Sequence, residues 1–295
     1  MTGPYTVTTS KDHLELGQFI PLHYHYNMLN DGARMAGFKE ALEYAVRPGA
    51  RVLELGGGTG VLSFFAAKNA GKVWCVERNP ELAAEARRIL ALNPDGEKIE
   101  IVEADAYDYL PPEPVDAVIC EMLHVGLLRE KQVPVIASFK ERYLEKFGPP
   151  LPRFVPEATL QGVQPVQQSF DFHGFYAPTI LFQDPLCIQN KTRELGDVAI
   201  YQMLSYAENI PQAIEWNGVM NIVGAGSLNA VRFITKNVLA ILVEEQRTID
   251  WRMQYLVLPL EKAISVRKGD SVPIRFSYAP GCPIGELQDS LSVGG

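Results

Sequence analysis

The sequence predicts an α/β fold, a doubly wound parallel sheet followed by a mainly β, barrel-like domain, and three observations carry that expectation. Strand and helix patterns alternate from Phe38 to about residue 146, the first strand breaks into a glycine-rich turn, and past Pro149, Pro150, Pro152 and Pro156 only short strand patterns recur. Apolar residues at 38, 42, 45 and 46 make one helical face. Arg51-Val-Leu-Glu-Leu55 reads as a buried strand, Val61 to Ala66 as a short buried helix and 73–77 as a second strand. Asn79-Pro80 then supplies an N-cap and first-turn proline to a helix whose face is Leu82, Ala86, Ile89 and Leu90. Runs at 99–103 and 115–120 complete four strands, and the crossover-length segments between them imply mostly parallel pairing. A helix over roughly 131–146 ends this part. The later strands are expected at 158–163, 219–223, 238–243, 255–259 and 272–278, which sets two domains, 1–148 and 149–295.

Bulk properties narrow the class. At 295 residues, with 47% hydrophobic and 21% charged residues, the chain has the composition of a globular protein with a sizeable core. No apolar run reaches membrane-spanning length, and Met-Thr-Gly-Pro-Tyr at the start lacks the basic and apolar regions of a signal peptide, so a cytoplasmic protein is expected. Cys75, Cys120, Cys187 and Cys282 stand apart, as buried thiols rather than a disulfide framework or zinc site. His23 and His25 lack further spaced acids or cysteines, so no metal is expected. A net charge of -8 gives no electrostatic grip on nucleic acid and suits a cationic substrate better.

The glycine turn, Leu55-Gly-Gly-Gly-Thr-Gly60, lets backbone approach a ligand without a Cβ in the way, beside the free N–H groups of the next helix. Glu77, about 20 residues past the turn at the end of the second strand, is placed to accept from two ribose hydroxyls. A dinucleotide fingerprint needs a further glycine where this chain has Val61, so NAD is disfavoured. Preceded by Glu54, the turn with Gly56, Gly58 and Gly60 is similar to that of Rossmann-like, S-adenosylmethionine-dependent methyltransferases. Ligands in such sheets sit at the carboxyl ends of the strands, which brings Gly56, Glu77, Asp105 and Glu121 around one crevice.

After the fourth strand comes Cys120-Glu-Met-Leu-His-Val-Gly-Leu-Leu-Arg-Glu130, in which two glutamates bracket a loop. Facing carboxylates repel unless a cation lies between them, and a planar guanidinium matches them in a fork. On spacing alone, a capping Glu121 and a solvated Glu130 are equally acceptable. The segment resembles the double-glutamate loop of the protein arginine methyltransferases. Met28-Leu-Asn-Asp-Gly-Ala-Arg34 resembles that family's Met-Leu-x-Asp-x-x-Arg helix, Phe154-Val-Pro-Glu-Ala-Thr-Leu160 its entry into the β-barrel, and Asp250-Trp-Arg-Met-Gln254 stands at its Thr-His-Trp loop. The resemblance runs from about residue 15 to 280. It implies an S-adenosyl-L-methionine cofactor held by Arg34, Glu54, Gly56, Gly58, Gly60, Glu77, Asp105 and Ala106. It also implies Glu121 and Glu130 as catalytic residues, Met28, Tyr24, Asp250 and Trp251 at the substrate, and methyl transfer to arginine in a protein or peptide, or to a small cationic acceptor.

Departures bear on the acceptor. The family's Tyr-Phe-x-x-Tyr motif aligns with Glu15, Leu16 and Phe19, leaving Tyr24 or Tyr26 to substitute. Asp250 replaces a histidine, and Met122, Leu123 and His124 replace aromatic and small residues. His124, alone in a loop, reads as locally hydrogen-bonded rather than catalytic. The segment from about 167 to 200 is shorter than the family's dimerisation arm, so a homodimer is possible but not required. Two alternatives stay open: the same frame acting on a small amine or hydroxyl, and a catalytically silent cofactor- or partner-binding protein.

Overall fold

The computed structural model describes residue 20 and residues 22–294. Two helices, α1 (Leu22–Leu29) and α2 (Gly32–Ala45), precede β1 (Arg51–Leu55), α3 (Val61–Ala67), β2 (Lys72–Glu77), α4 (Pro80–Leu90), β3 (Ile99–Glu103), β4 (Ala117–Cys120), α5 (Gln132–Phe147) and β5 (Arg153–Val155). All pairings in the resulting sheet are parallel, in the order β3-β2-β1-β4-β5. β1 and β4 are neighbours, and chain order reverses there. Gly56 and Glu121, each just past its strand, therefore emerge side by side.

Local chemistry explains the elements. Met28 to Arg34 does not form one helix: the Asp31 carboxylate accepts from the Arg34 N–H at 2.9 Å and caps α2, so the chain turns between α1 and α2. Asn79 caps α4 through the N–H groups of Glu81 and Leu82, with Pro80 in the first turn as expected. β1 and β2 are buried almost throughout, as central parallel strands are. A fifth strand appears where four were expected. β5 is three residues long and flanked by Pro152 and Pro156, so its sequence reads as a break, and the parallel sheet extends past residue 148.

The remaining chain is almost all antiparallel strand: β6 (Ala158–Gln168), β7 (Asp171–Phe172), β8 (Phe175–Tyr176), β9 (Leu181–Gln183), β10 (Thr192–Glu194), β11 (Ala199–Ser205), β12 (Ile214–Asn221), β13 (Gly226–Leu242), β14 (Arg247–Arg252), β15 (Tyr255–Val266) and β16 (Ser271–Tyr278). A short helix α6 (Ile284–Ser290) and β17 (Ser292–Val293) follow. One sheet runs β10-β6-β13-β15-β9, with β11 on β6 and β14 on β13, and β12-β16-β17 forms another. The strands between 171 and 205 escaped the sequence because their outward residues, such as Phe175 and Ile200, are apolar and blur the alternation.

Leu239, Ile249 and Trp251 of this β-rich part belong to the same core as Phe38, Leu53 and Phe139 of the first. A second core gathers Tyr201, Phe233, Leu256 and Phe276 within the barrel. The shared core fixes the β-rich part against α2, where an Arg247–Glu40 ion pair of 2.8 Å adds a contact. Cys75, Cys120 and Cys282 are buried free thiols as expected, but Cys187 is exposed. No described helix is long and apolar enough to cross a membrane.

Candidate active site

The carboxyl ends of β1, β2 and β4 open on a cavity of about 400 Å³ lined by Met28, Arg34, Glu54, Gly56, Gly58, Glu77, Asp105, Ala106, Glu121 and Glu130, together with His25. Gly56 and Gly58 have φ of +79° and +54°, conformations that favour glycine. A Cβ on Gly58 would lie 2.7 Å from the His25 ring, and one on Gly56 2.9 Å from Met122. Gly60 has φ +79° and packs against Leu90 at the start of α3, outside the cavity lining. The Glu77 carboxylate accepts from the Gly58 N–H at 2.8 Å and the Asn79 N–H at 2.7 Å, which fixes it at the mouth of the turn. Glu54 accepts from the N–H and hydroxyl of Ser63 and so braces the turn against α3. Burial pushes its carboxyl up to about 7. Asp105 accepts from the Tyr107 N–H at 2.9 Å and pairs with Arg78 at 3.2 Å on the cavity rim.

Arg34 projects from the first turn of α2 and is buried. Its guanidinium makes an ion pair with Glu121 and lies 4.9 Å from the centre of the Trp251 ring. The other Glu121 oxygen, Oε1, is buried without a hydrogen-bond partner. Glu130 is held up at about 7 by burial, against the opposing fields of Arg34 and Arg129. Two carboxylates thus face one cavity, one paired with a guanidinium and the other poised to gain charge.

The backbone carrying those carboxylates is clamped. Gln132, fully buried, accepts from the Met122 N–H at 2.9 Å and donates to the Cys120 carbonyl at 2.7 Å, spanning Glu121 from both sides. Midway along the loop, Gly126 donates to the Thr235 hydroxyl at 2.8 Å and accepts from the Tyr278 hydroxyl at 2.8 Å. Tyr278 is 2.9 Å from the Tyr201 hydroxyl, and Gln161 accepts from both Thr235 and Tyr201. The barrel therefore grips the loop through a buried polar chain. Leu127 and Arg129 adopt φ of 56° and 61° to follow the path.

Three expected substrate residues lie elsewhere. Tyr24 is 55% exposed on α1 and does not line the cavity, because helical periodicity turns His25 and Met28 inward and Tyr24 out. Asp250 and Trp251 alternate along β14: Trp251 is buried under Arg34 and against Phe38, whereas Asp250 faces outward and pairs with Lys236 at 2.7 Å. Neither lines the cavity. The Tyr-Phe-x-x-Tyr alignment at Glu15, Leu16 and Phe19 falls outside the described residues. The His124 Nδ1 donates locally to the Val125 carbonyl, 3.1 Å away, and burial lowers its ring to about 4.

Comparison with known proteins adds the family. Residues 52–145 match the model of a methyltransferase domain. A Methanothermobacter thermautotrophicus uncharacterized protein is 29% identical over 270 residues, covering 91% of this chain and 97% of that one. An arginine N(omega)-methyltransferase of Streptomyces achromogenes subsp. streptozoticus is 33% identical over 134 residues, 44% of this chain and 37% of that enzyme. The fold matches the Trypanosoma brucei PRMT1 enzyme–prozyme complex with AdoHcy at a TM-score of 0.71 and 18% identity, covering 87% of each chain. The chain is a class I S-adenosylmethionine-dependent methyltransferase resembling the protein arginine methyltransferases.

The cavity of this methyltransferase fits S-adenosylmethionine. A cradle of left-handed glycines lies beside a fixed carboxylate on β2, the buried Arg34 guanidinium lines the same cavity, and the His25 Nε2 is buried without a partner. The sequence offers His25 only as a candidate metal ligand; its signal for this site is its place on the inward face of α1 with Met28. Gln132, Tyr278 and Thr235 had no motif to mark them, since each acts through a contact made only in the folded chain.

Proposed function

We propose that the enzyme transfers a methyl group to a guanidinium nitrogen of arginine. The observation that carries this reading is that Glu121 and Glu130 open into the glycine-turn cavity and Glu121 already holds a guanidinium, that of Arg34. The match to an arginine N(omega)-methyltransferase supports it. Arg34, Glu54, Gly56, Gly58, Gly60, Glu77, Asp105 and Ala106 would hold or support the cofactor. Arg34, buried against Trp251, would hold the cofactor's carboxylate, and Met28, which lines the same cavity, would bound the acceptor space.

Bound S-adenosylmethionine supplies a methyl group made electrophilic by its positive sulfur. Glu121 and Glu130 orient the acceptor and draw its positive charge toward the nitrogens they contact, which leaves the remaining nitrogen's lone pair free to attack. Glu130 is neutral in part near pH 7 and ionises fully once a cation enters its field. It then accepts the proton that the methylated nitrogen releases. Asp250 gives no support to an amine or hydroxyl acceptor, since it lies outside the cavity.

The test is incubation with methyl-labelled S-adenosylmethionine against arginine, arginine-containing peptides and a panel of small amines. Label on a guanidinium nitrogen is expected. Label only on amines or hydroxyls contradicts the proposal.

A further inference from the structure

Behind the double-glutamate loop lies a second cavity of about 550 Å³, between Arg129 and Lys131 on one side and the segment Ala279 to Glu286 on the other. Lys131 lines both this cavity and the cofactor cavity. The loop's path sets up this second cavity: the Arg129 N–H donates to the Cys282 carbonyl at 2.7 Å, the Gly281 N–H to the Leu127 carbonyl at 2.7 Å, and Arg129 itself takes a left-handed φ of 61°. With the backbone so held, successive side chains diverge. Glu130 lines the first cavity and Arg129 the second.

The Arg129 guanidinium has a buried Nε with no hydrogen-bond partner and, among the described residues, forms no ion pair. Lys131 and Glu286 are the other charged residues that line this cavity. Glu286 lies on its exposed rim and bonds to the Cys282 thiol. Glu130 lies in the field of Arg129 but lines the other cavity, so the guanidinium keeps a buried donor without an acceptor, which is costly. Arg129 repels any acceptor that brings only positive charge. An acceptor carrying its own carboxylate removes both difficulties.

Resting on the guanidinium reading above, we propose that the acceptor is a small guanidino acid with a free carboxylate, such as free arginine, and that Arg129 binds that carboxylate in the second cavity. The planar fork of Arg129 matches a carboxylate in two parallel hydrogen bonds. An arginine residue within a peptide offers only a neutral carbonyl at that place and leaves the cation unpaired.

The experiment compares kcat/KM for L-arginine, agmatine, which lacks the carboxylate, and a peptide with an internal arginine, in the wild type, Arg129→Gln and Arg129→Lys. The wild type should prefer L-arginine over agmatine by roughly 10- to 100-fold, the range for a charge-assisted hydrogen-bonded pair. Arg129→Gln should collapse that ratio toward one, with KM for L-arginine rising and agmatine improving as the repelling charge is lost. Arg129→Lys should keep part of the preference, which a purely structural role would not predict. An equal ratio in wild type and Arg129→Gln, or a wild type that prefers the peptide, overturns the proposal while leaving guanidinium methylation standing. Methylation of none of the three by a wild type that binds S-adenosylhomocysteine overturns both.

Discussion

Replacing Glu130 with glutamine should stabilise the free protein above neutral pH while removing its activity. The Glu130 carboxyl is raised from 4.5 to about 7, chiefly because burial penalises its charged form. At about 1.4 kcal/mol per pH unit of displacement, the folded state gives up about 3 kcal/mol relative to the unfolded chain when Glu130 is ionised. The sign follows from proton affinity: the folded protein binds this proton more tightly, so stability is fully present below pH 4.5, falls as the pH rises toward 7, and is flat beyond. Glutamine cannot ionise and keeps the stability throughout. For 295 residues, with an unfolding entropy of about 2.1 cal/mol/K per residue, 3 kcal/mol corresponds to about 5 °C in Tm. Thermal unfolding of wild type and Glu130→Gln at pH 5 and pH 8, without ligands, reads the effect. The two proteins should melt within about a degree of each other at pH 5, and the variant about 5 °C higher at pH 8. Glu54, also held at about 7, titrates in both proteins and cancels from the difference. A Tm difference that is the same at both pH values, or a variant less stable at pH 8, refutes the assignment of a buried, destabilised carboxyl.

Other outcomes follow from the same geometry. The pH profile of kcat/KM should rise through about pH 7 with a slope near one, because the free enzyme must ionise Glu130 to receive a cation; a profile flat from pH 6 to 8 contradicts this. Gly58→Ala places a Cβ 2.7 Å from the His25 ring at a φ of +54°, so calorimetry should show S-adenosylhomocysteine binding weakened at least tenfold, about 1.4 kcal/mol, in a protein that still folds. Tyr278→Phe leaves the buried Gly126 carbonyl without its donor. Urea denaturation should report a loss of about 1–3 kcal/mol, and kcat should fall with cofactor affinity unchanged.

Legibility in the sequence followed the range of the interactions. β1, the glycine turn and Glu77 could be read because their signals are local: a buried run, residues tolerant of positive φ, and a fixed distance along one βαβ unit. Asp105 and Glu121 could be placed on the cavity because the carboxyl ends of parallel strands share one edge, and Glu130 through the resemblance of its loop to the double-glutamate loop. β5 was hidden by its prolines, and the strands from 171 to 205 by apolar residues on their outer faces. Asp250 was misplaced because a motif position says where the backbone runs and not which face of β14 a side chain takes. The Gln161, Thr235, Tyr201 and Tyr278 chain joins residues distant in sequence, and only the packed barrel brings them to Gly126. The pairing of Arg34 with Glu121 was equally invisible, since it couples the start of α2 to the end of β4.

The most direct test of the account is turnover by Glu121→Gln and Glu130→Gln with methyl-labelled S-adenosylmethionine and guanidino acceptors, alongside calorimetric titration of both variants with S-adenosylhomocysteine. Methyl transfer to the guanidinium should be abolished in each variant while the cofactor product still binds, because the cradle of Gly56, Gly58 and Glu77 is untouched. Undiminished turnover in both variants contradicts the carboxylate clamp on which the proposed chemistry depends.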